Sequence, residues 1–547
     1  MKTINNNLLL LLLLSIAATG FAQTSATELV NTAKITTVES SEKISENPSF
    51  EDSVKINSDL KYGMIERKAA SVFTPKAINA PKLGGDKNAV PKLYNGLLKL
   101  GIIDFSTLPL MEFTYGSKYS KDFVHTFGLH HFASDLKTSA ASPARITETG
   151  LDFSAKKFFK TYTVFGDVNY DYNTRRYYGA DFGLQDINPD LLKQFFGIGH
   201  IQAGLQSNYR KEDDLHHRVT VDYYNIFDAF NMQENRIAVN GKVSPTIAGY
   251  KGNVDASVDW FNVSNNTGSH SSLLVQVSPG VSFKGSRYTA KAGFNTYFLS
   301  TDSARAHIYP FAEGEYTLIK DVFVVYAKYR GYFERYDYLK HIEINPFYGT
   351  SSPLTNTSHL NNTFVGIKGN ISSKITFNTG VEFDKIKNLP LYINDNASYG
   401  NRLFTVVTDN VFMIRYFGQL SLEIQKIQLA LKGDYRSYST YSEVKAWHLP
   451  ALEVGFSGKY NFQDMLFAKV DVYYLGEQYA RGLYVNGAYT AEKLPGIVDV
   501  NVGLEYKYNK RISAFFNVNN MLNKQYRRWN QYPGYGINFL GGFTYAF

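Results

Sequence analysis

The chain has 547 residues, no cysteine, 57 Lys and Arg against 49 Asp and Glu, and 41 Tyr with 39 Phe. The lack of cysteine excludes a disulfide scaffold and a thiolate metal site, and the aromatic content excludes a disordered or collagen-like chain. A net charge of +8 over this length gives little support for a nucleic-acid partner, and we expect none. The excess of Tyr and Phe over the three Trp favours strands over helices.

The first 22 residues have the layout of a secretory signal peptide. Lys2 precedes an apolar stretch from Leu8 to about Ala18, and small residues precede Gln23. This stretch is too short to span a bilayer as a helix. We therefore predict cleavage after Ala22 and export of the mature chain. Because no cysteine follows the signal, we expect no lipid anchor.

Residues 23–94 differ in composition from the rest of the chain. They are rich in Ser, Thr, Asn, Glu and Lys without a regular period, and Pro75, Pro81 and Pro91 mark an extended approach to the first strand. We predict a polar, largely disordered periplasmic arm of 72 residues that has no core of its own.

From residue 95 to the C-terminus, apolar and polar residues alternate with a period of two. Val, Leu and Tyr alternate with Asp, Asn, Gly, Glu and Lys between Val498 and Tyr508, and the stretches 254–260, 427–435 and 468–474 share this pattern. The strands are long, and their polar faces carry charges of both signs, which a water-filled lumen tolerates and a packed core does not. We predict an all-β, antiparallel outer-membrane barrel over residues 95–547, rather than a soluble β-sandwich.

The length of this region sets the number of strands. At about 20 residues for each strand with its connection, it supplies on the order of 22 strands, and 20 is also possible. Short turns at 212–214, 319–321 and 509–510 should face the periplasm. Longer connections near 176–194, 335–358, 387–401, 477–495 and 523–536 should be extracellular and carry any ligand chemistry.

The C-terminus ends in an alternating aromatic pattern. Phe543, Tyr545 and Phe547 share one face, and Phe547 is the last residue. This pattern resembles the terminal β-signal that the barrel assembly machinery recognises in outer-membrane proteins. The last strand should pair with the first, because pairing removes the free edge of the sheet.

The segment before this last strand resembles a known family. The run from Ser513 to Tyr526 contains Asn520, Asn523 and Tyr526 in an N-x-x-N-x-x-Y arrangement, followed by Tyr532, Pro533 and Gly536. These motifs are similar to the end of TonB-dependent outer-membrane receptors. The resemblance covers the barrel region and implies a barrel for uptake of a solute or ligand.

The same resemblance implies a globular plug of well over 100 residues inside the barrel, with a TonB-binding box before it. The 72-residue arm is too short for such a plug, so we expect none. A box-like string lies at residues 34–40, and coupling to TonB stays open. Because an unplugged barrel of this size would leak, we expect the lumen to be closed by inward-folded loops, by the arm or by a partner protein.

Metal, cofactor and catalytic chemistry have no support in the sequence. His130 and His131 are adjacent, as are His216 and His217, so the members of each pair should point to opposite faces of a strand. His125 and His131 share a face but lie about 20 Å apart at the rise of a strand. No P-loop, G-x-S-x-G elbow or convincing catalytic triad is present. We expect no enzyme, no metal site and no cofactor.

Two loop segments mix positive charge with aromatic rings, as a sugar- or anion-binding loop does. The alternative is interfacial anchoring beside anionic lipid headgroups, which we favour. The segments consist of Arg175, Arg176, Tyr177 and Tyr178, and of Arg527, Arg528 and Trp529.

Two functions follow from these patterns. The first is passage of a solute or ligand through an outer-membrane barrel. The second is a non-transporting barrel that serves as a platform or assembly component of an outer-membrane complex. The expected partners are the outer-membrane bilayer, the assembly machinery and a lumen-closing or periplasmic protein.

Overall fold

The computed structural model describes residues 94–547, except 104–108, 118–119, 136–137, 139–143, 180–191, 209–214, 248–249, 267, 301–305, 321, 350–354 and 396–402. The predicted signal peptide, almost all of the predicted arm with its box-like string, and the turn at 212–214 lie outside the described residues. No helix in the described part of the chain is long and apolar enough to cross a membrane.

The described residues form a closed, antiparallel barrel of 22 strands, as predicted. The strands are β1 (Gly96–Ile103), β2 (Pro109–Gly116), β3 (Phe123–Ser134), β4 (Ile146–Phe158), β5 (Tyr162–Arg176), β6 (Lys193–Ser207), β7 (His216–Asp228), β8 (Gln233–Ser244), β9 (Tyr250–Asn265), β10 (Gly268–Lys284), β11 (Tyr288–Leu299), β12 (Ala306–Ile319), β13 (Phe323–Tyr336), β14 (Thr355–Ser372), β15 (Ile375–Asn394), β16 (Phe404–Ile424), β17 (Ile427–Thr440), β18 (Leu452–Phe462), β19 (Leu466–Leu475), β20 (Ile497–Lys507), β21 (Ile512–Asn519) and β22 (Asn538–Ala546).

Smaller elements lie between the barrel strands. A helix, α1 (Tyr338–Ile344), follows β13, and a hairpin of Gln478–Val485 and Ala488–Leu494 follows β19. Two short strands, Arg527–Trp529 and Tyr532–Pro533, pair within the connection from β21 to β22. The two-residue strand Thr246–Ile247 pairs with the start of β9.

The first and last strands close the barrel. β22 pairs with β1 from Leu97 opposite Ala546 to Ile103 opposite Leu540. The carbonyl of Phe547 extends this pairing, since it accepts hydrogen bonds from the backbone N–H groups of Asn95 and Gly96 at 2.8 and 3.0 Å. The predicted pairing of the last strand with the first is therefore confirmed.

The alternation in the sequence separates a lipid face from a lumen face. On β20, Leu504 and Tyr506 are exposed on the outside, whereas Asp499 and Glu505 are buried on the lumen side. Phe543, Tyr545 and Phe547 are exposed on the outer face of β22 and just beyond it.

The polar groups of the lumen wall bind one another. The Arg415 guanidinium lies 2.8 Å from the Glu382 carboxylate and 2.5 Å from the Asp434 carboxylate. A buried charge needs such partners, because its desolvation is otherwise too costly.

The two ends of the barrel differ in the length of their connections. Turns such as 373–374, 425–426 and 463–465 lie at the end where the chain enters β1 and leaves β22, which makes this end periplasmic. The opposite end carries the connections 177–192, 337–354, 395–403, 441–451, 476–496 and 520–537. Of the predicted short turns, Lys320 and residues 509–510 lie at the first end, and the predicted long connections lie at the opposite end, although residues 387–394 continue β15 and residues 355–358 begin β14.

Glycine permits close packing where β1 meets β22. Gly101 lies opposite Gly542, and the Phe515 ring covers both on the lumen side. A Cβ atom on Gly542 would lie 2.0 Å from the carbonyl oxygen of Leu100 and 2.7 Å from the Phe515 ring. The closing pair of strands therefore requires glycine at position 542.

We expect Gly542→Ala to destabilise the folded barrel by about 1–3 kcal/mol, because the added methyl group pushes β1 away from β22. The measurement is the temperature at which the heat-modifiable folded band disappears on a denaturing gel. Gly541→Ala is the matched control, since its nearest heavy atom would lie 3.5 Å away. Equal melting of both variants would show that this close approach does not limit closure.

Candidate functional site

The extracellular loops turn inward and pack on one another across the mouth of the barrel. Five connections contribute buried residues: those after β3, β5, β7, β13 and β21. The ends of β6, β7, β15 and β16 supply the rest. We call this group the mouth core; it comprises Ala144, Tyr177, Tyr178, Phe196, Tyr224, Ile226, Met232, Tyr338, Ile342, Phe347, Tyr348, Tyr392, Phe404, Val406, Trp529 and Tyr532.

Aromatic rings join loops that are far apart in the sequence. Tyr532 stacks on Phe347 with ring centroids 3.4 Å apart, and it meets Tyr178 edge-on at 5.1 Å. Trp529 contacts Tyr392 at 5.3 Å and Phe404 at 5.5 Å. Each such pair adds about 0.5–1.5 kcal/mol beyond the burial of its surface. These contacts hold the connections after β5, β13 and β21 together in the mouth.

Helix α1 is fixed to the barrel wall by two carboxylates. The Tyr338 hydroxyl donates to Asp228 at 2.8 Å, and its backbone N–H donates to Glu234 at 2.7 Å. Glu234 also accepts the Tyr224 hydroxyl at 2.6 Å. We call Asp228, Glu234 and Tyr338 the latch, because they join the loop after β13 to β7 and β8.

The other side of α1 reaches β15. The His341 Nδ1 atom is hydrogen-bonded to the Tyr392 hydroxyl at 3.0 Å, and its ring stacks on Tyr348 at 4.4 Å. Burial lowers the pKa of His341 to about 3, with a smaller contribution from the nearby Lys340. The imidazole is therefore neutral at physiological pH, and α1 spans from one sector of the wall to another.

A second neutral histidine, in the connection after β17, joins this connection to β15 and to the loop between β21 and β22. His448, in the connection after β17, donates from Nδ1 to the Tyr392 carbonyl at 2.9 Å and accepts the Asn530 N–H on Nε2 at 3.3 Å. These partners require the tautomer that carries its proton on Nδ1. Burial lowers the pKa of His448 to about 3.

The asparagines of the family-like motif shape the loop between β21 and β22. Asn520 and Asn523 adopt left-handed backbone conformations, with φ of 47° and 50°. The Asn520 side chain donates to the carbonyls of Lys524 at 2.9 Å and Tyr535 at 2.7 Å, and the Asn523 side chain accepts the Ile537 N–H at 2.9 Å. Asparagine suits these positions because it tolerates positive φ and can bond nearby backbone groups.

The remaining motif residues also have structural partners. The Tyr526 hydroxyl donates to Asp499 on β20 at 2.6 Å, and the Pro533 carbonyl accepts the Tyr178 hydroxyl at 3.1 Å. A Cβ atom on Gly536 would lie 2.6 Å from Asn523 Oδ1. The motif thus positions the rings of the mouth core.

The predicted ligand-loop residues fall into the same region. Tyr177, Tyr178 and Trp529 are almost fully buried in the mouth core. Arg528 donates to the His448 carbonyl at 2.7 Å and to the Gln478 side chain, and burial lowers its pKa to about 10. Anchoring in lipid headgroups is therefore wrong for these four residues, because their side chains do not face the membrane.

The other three candidates lie at the edge of the mouth. The Arg175 guanidinium lies 5.0 Å from the centroid of the Phe196 ring. Arg176 ends β5 opposite Lys193. Arg527 keeps its side chain 42% exposed, 3.9 Å from Glu492. A role of any of these residues in ligand binding stays a prediction.

Histidine and carboxylate pairs on the wall do not assemble a metal centre. His130 lies 3.2 Å from Asp171 and 3.6 Å from Asp152, and His131 is hydrogen-bonded to Thr149 at 2.8 Å. Among the described residues, no group of three or more His, Cys, Asp or Glu could hold a metal ion.

Sequence reasoning missed the latch and both buried histidines. Asp337 precedes α1 and accepts the Lys340 N–H at 2.9 Å, and such a cap before a short apolar run is a signal that predicts the helix. No local signal identifies Asp228, Glu234 or His448, because their partners lie far away in the sequence.

No family model matches this chain, and no curated protein matches it. Solved structures do share its fold. The siderophore receptor PirA from Acinetobacter baumannii matches with a TM-score of 0.66 at 10% identity, over 84% of this chain and 81% of that chain. The FrpB iron transporter from Neisseria meningitidis (F3-3 variant) matches with a TM-score of 0.66 at 11% identity, over 84% and 82% of the two chains.

A mutant of the ferric enterobactin receptor PfeA from Pseudomonas aeruginosa, in complex with enterobactin, matches with a TM-score of 0.61 at 11% identity, over 83% of this chain and 81% of that one. These neighbours are TonB-dependent receptors with 22-strand barrels, so the resemblance inferred from the C-terminal motif is confirmed for the fold. The chain therefore shares with these receptors the fold of a closed, antiparallel 22-strand β-barrel.

We expect Asn520→Ala to open the loop between β21 and β22, at a cost of about 2–3 kcal/mol, because alanine loses the side-chain hydrogen bonds and disfavours positive φ. Trypsin should then cut the folded barrel faster after Lys524. The Asn520→Gly variant should be cut at a rate between those of this variant and the wild type, because glycine loses the side-chain hydrogen bonds but tolerates positive φ.

The matched control is Asn231→Ala, at φ of 62° in an exposed turn outside this loop. Trypsin should cut this variant after Lys524 at the wild-type rate. Unchanged cleavage of the Asn520→Ala variant would contradict a loop-shaping role for this residue.

We expect acid to loosen the mouth core. His341 and His448 have pKa values of about 3 when buried and about 6.5 when exposed, so an opened mouth binds more protons between these values. Closure therefore weakens as pH falls below about 6.5, by about 2–3 kcal/mol for each histidine at about pH 4.5. Single-channel recordings at about pH 6.5 and about pH 4.5 measure the open probability.

The double variant His341→Gln, His448→Gln carries no titratable group at either position and should lose most of this pH dependence. A pH response as steep as that of the wild type would assign the effect to other groups.

Proposed function

We propose that this protein is an outer-membrane receptor that takes up a ligand through its barrel, with the mouth core as the gate. The observation that carries the proposal is the latch, which holds an inward-folded loop against the wall. The fold shared with proteins named as siderophore receptors and iron transporters supports uptake and does not favour the platform alternative.

The gate can open without breaking the barrel. The mouth-core rings on the connections after β5, β13 and β21 lie outside the backbone ladder of the wall, whereas those on β6, β7, β15 and β16 belong to it and can stay in place. Release of α1 requires loss of the hydrogen bonds from Tyr338 to Asp228 and Glu234. Hydrogen bonds to carboxylates contribute about 1.5–3 kcal/mol each, so binding of a ligand can supply the energy for release.

Aromatic faces and guanidinium groups at the mouth suit a planar, anionic ligand. Arg527 is exposed there, and the rings of Trp529 and Tyr178 lie just below in the mouth core. Ferric siderophores, the ligand class named for two of the structural neighbours, are therefore the first compounds to test.

The remaining partners belong to the same proposal. The signal peptide over residues 1–22 directs export, and the arm over 23–94 contacts a periplasmic partner that drives or completes closure. The barrel assembly machinery recognises Phe543, Tyr545 and Phe547. Receptor-type neighbours fit an outer-membrane protein that interacts with periplasmic partners.

We expect Tyr338→Phe to raise the open probability of single channels about tenfold, because the hydroxyl loses its carboxylate partner while the ring stays in place. Adding Glu234→Gln should raise it further. Tyr223→Phe is the matched control. Tyr223 lies on β7, which also carries Asp228 of the latch, but its ring is exposed on the outer face of the barrel. A large, constant conductance of the wild type would contradict a gated mouth.

Uptake itself is tested in cells that express the wild type or the Tyr338→Phe variant. Labelled ferric siderophores should accumulate only in cells that carry the protein. If no ligand accumulates while the native protein purifies in a stoichiometric complex that survives deletion of the extracellular loops, the platform function replaces the proposal.

A further inference from the structure

We infer that the periplasmic rim of the barrel binds anionic phospholipid headgroups of the inner leaflet. Among the exposed basic side chains of the short turns at this end, six come from six different turns. We call them the basic rim; they are Lys160, Arg287, Lys320, Lys374, Lys426 and Lys510.

Aromatic rings flank these turns; they are exposed at Phe159 and Tyr162 and half-buried at Phe323 and Phe377. Phe159 and Tyr162 stack at 4.5 Å on either side of Lys160. Phe323 and Phe377 contact each other at 5.9 Å beside the turns that carry Lys320 and Lys374. Rings of this kind lie at the level of lipid headgroups, so the basic groups beside them reach phosphate oxygens.

The same relation holds at the turn after β20. Tyr508 is 71% exposed, two positions before Lys510. The basic rim therefore lies beside the bilayer surface, where each positive charge is attracted to anionic lipid.

Positive charge predominates at this end of the barrel. In the described periplasmic turns the carboxylates are Asp122 and Asp464, against eight exposed basic groups: the six of the rim, Lys121 and Arg511. At the extracellular end, two exposed basic groups have acidic neighbours: Lys493 lies 2.6 Å from Glu477, and Arg527 lies 3.9 Å from Glu492. Among the described connections, the periplasmic end therefore carries the larger excess of positive charge and suits an anionic surface better.

Residues 23–66 of this chain are the other candidate to bind the basic rim, since they carry eight carboxylates against four lysines. We favour lipid because the rim side chains lie among outward-facing rings. An arm that leaves Tyr94 on one side would have to encircle the barrel to reach all six turns.

The test uses the full-length protein in vesicles of phosphatidylethanolamine with phosphatidylglycerol as the minor component. The protein is extracted in mild detergent, and the lipids that stay bound are quantified by mass spectrometry. We expect phosphatidylglycerol to be enriched over its share of the vesicle, and the enrichment to fall with added salt, because salt screens exposed charges.

A variant in which all six rim residues are replaced by Gln should lose about fivefold or more of this enrichment. The control variant replaces Arg145, Lys445, Lys493 and Lys524, at the opposite end, by Gln and should keep it. Heat-modifiability of both variants confirms folding, and two variants with three rim substitutions each replace the sixfold variant if it does not fold.

Equal enrichment in the rim variant and the wild type would overturn the inference. The inference would also be overturned if the wild type showed no enrichment and the enrichment appeared when residues 23–66 were deleted. That result would show that the acidic segment binds the rim.

Discussion

A backbone amide that meets lipid has no water to bind, and this constraint governs the whole barrel. Every strand must pair on both sides, so β22 has to meet β1, and the chain must supply side chains small enough for the two to approach. Gly101 and Gly542 meet that need at the closing pair, with the Phe515 ring filling the space above them. The terminal Phe547 then completes the pairing through its carbonyl.

The closed wall has a polar inner face and a wide mouth. Its polar groups therefore need partners inside the barrel, and its mouth needs side chains that fill it. Charges on the wall are satisfied by neighbours across adjacent strands, as Arg415 is by Glu382 and Asp434. In the mouth, packing of aromatic rings takes the place of ion pairs. The connections after β5, β13 and β21 send aromatic side chains inward, and buried polar groups such as Glu234, His341 and His448 fix their positions.

Aromatic packing with a few specific hydrogen bonds is well suited to a gate. The rings exclude water, and the bonds give the closed loops one arrangement instead of many. Because the latch joins α1 to β7 and β8, a ligand that displaces Tyr338 would release a whole loop. The Asn520 side chain shapes the loop after β21 from within, through hydrogen bonds to the carbonyls of Lys524 and Tyr535, so the latch and this turn each favour the closed state.

The fold was predictable from the sequence because its cause is local. Alternation along stretches such as Val498–Tyr508 follows from one face in lipid and one in water, and the strand count follows from the thickness of a bilayer. The mouth was predictable only in part. Tyr178 and Trp529 stand out as aromatic residues beside arginines, but their neighbours also suit a lipid interface, and this reading proved wrong for the buried members.

The sequence by itself thus predicted an antiparallel barrel of about 22 strands, the end of the barrel at which its long connections lie, and the residues of the C-terminal motif. Only the tertiary structure decided what those residues do. Asp228 meets Tyr338 across 110 positions of chain, and Tyr178 meets Pro533 across 355. Contacts at such separation leave no periodic trace, because the closure of the barrel, and not the neighbouring sequence, brings the partners together.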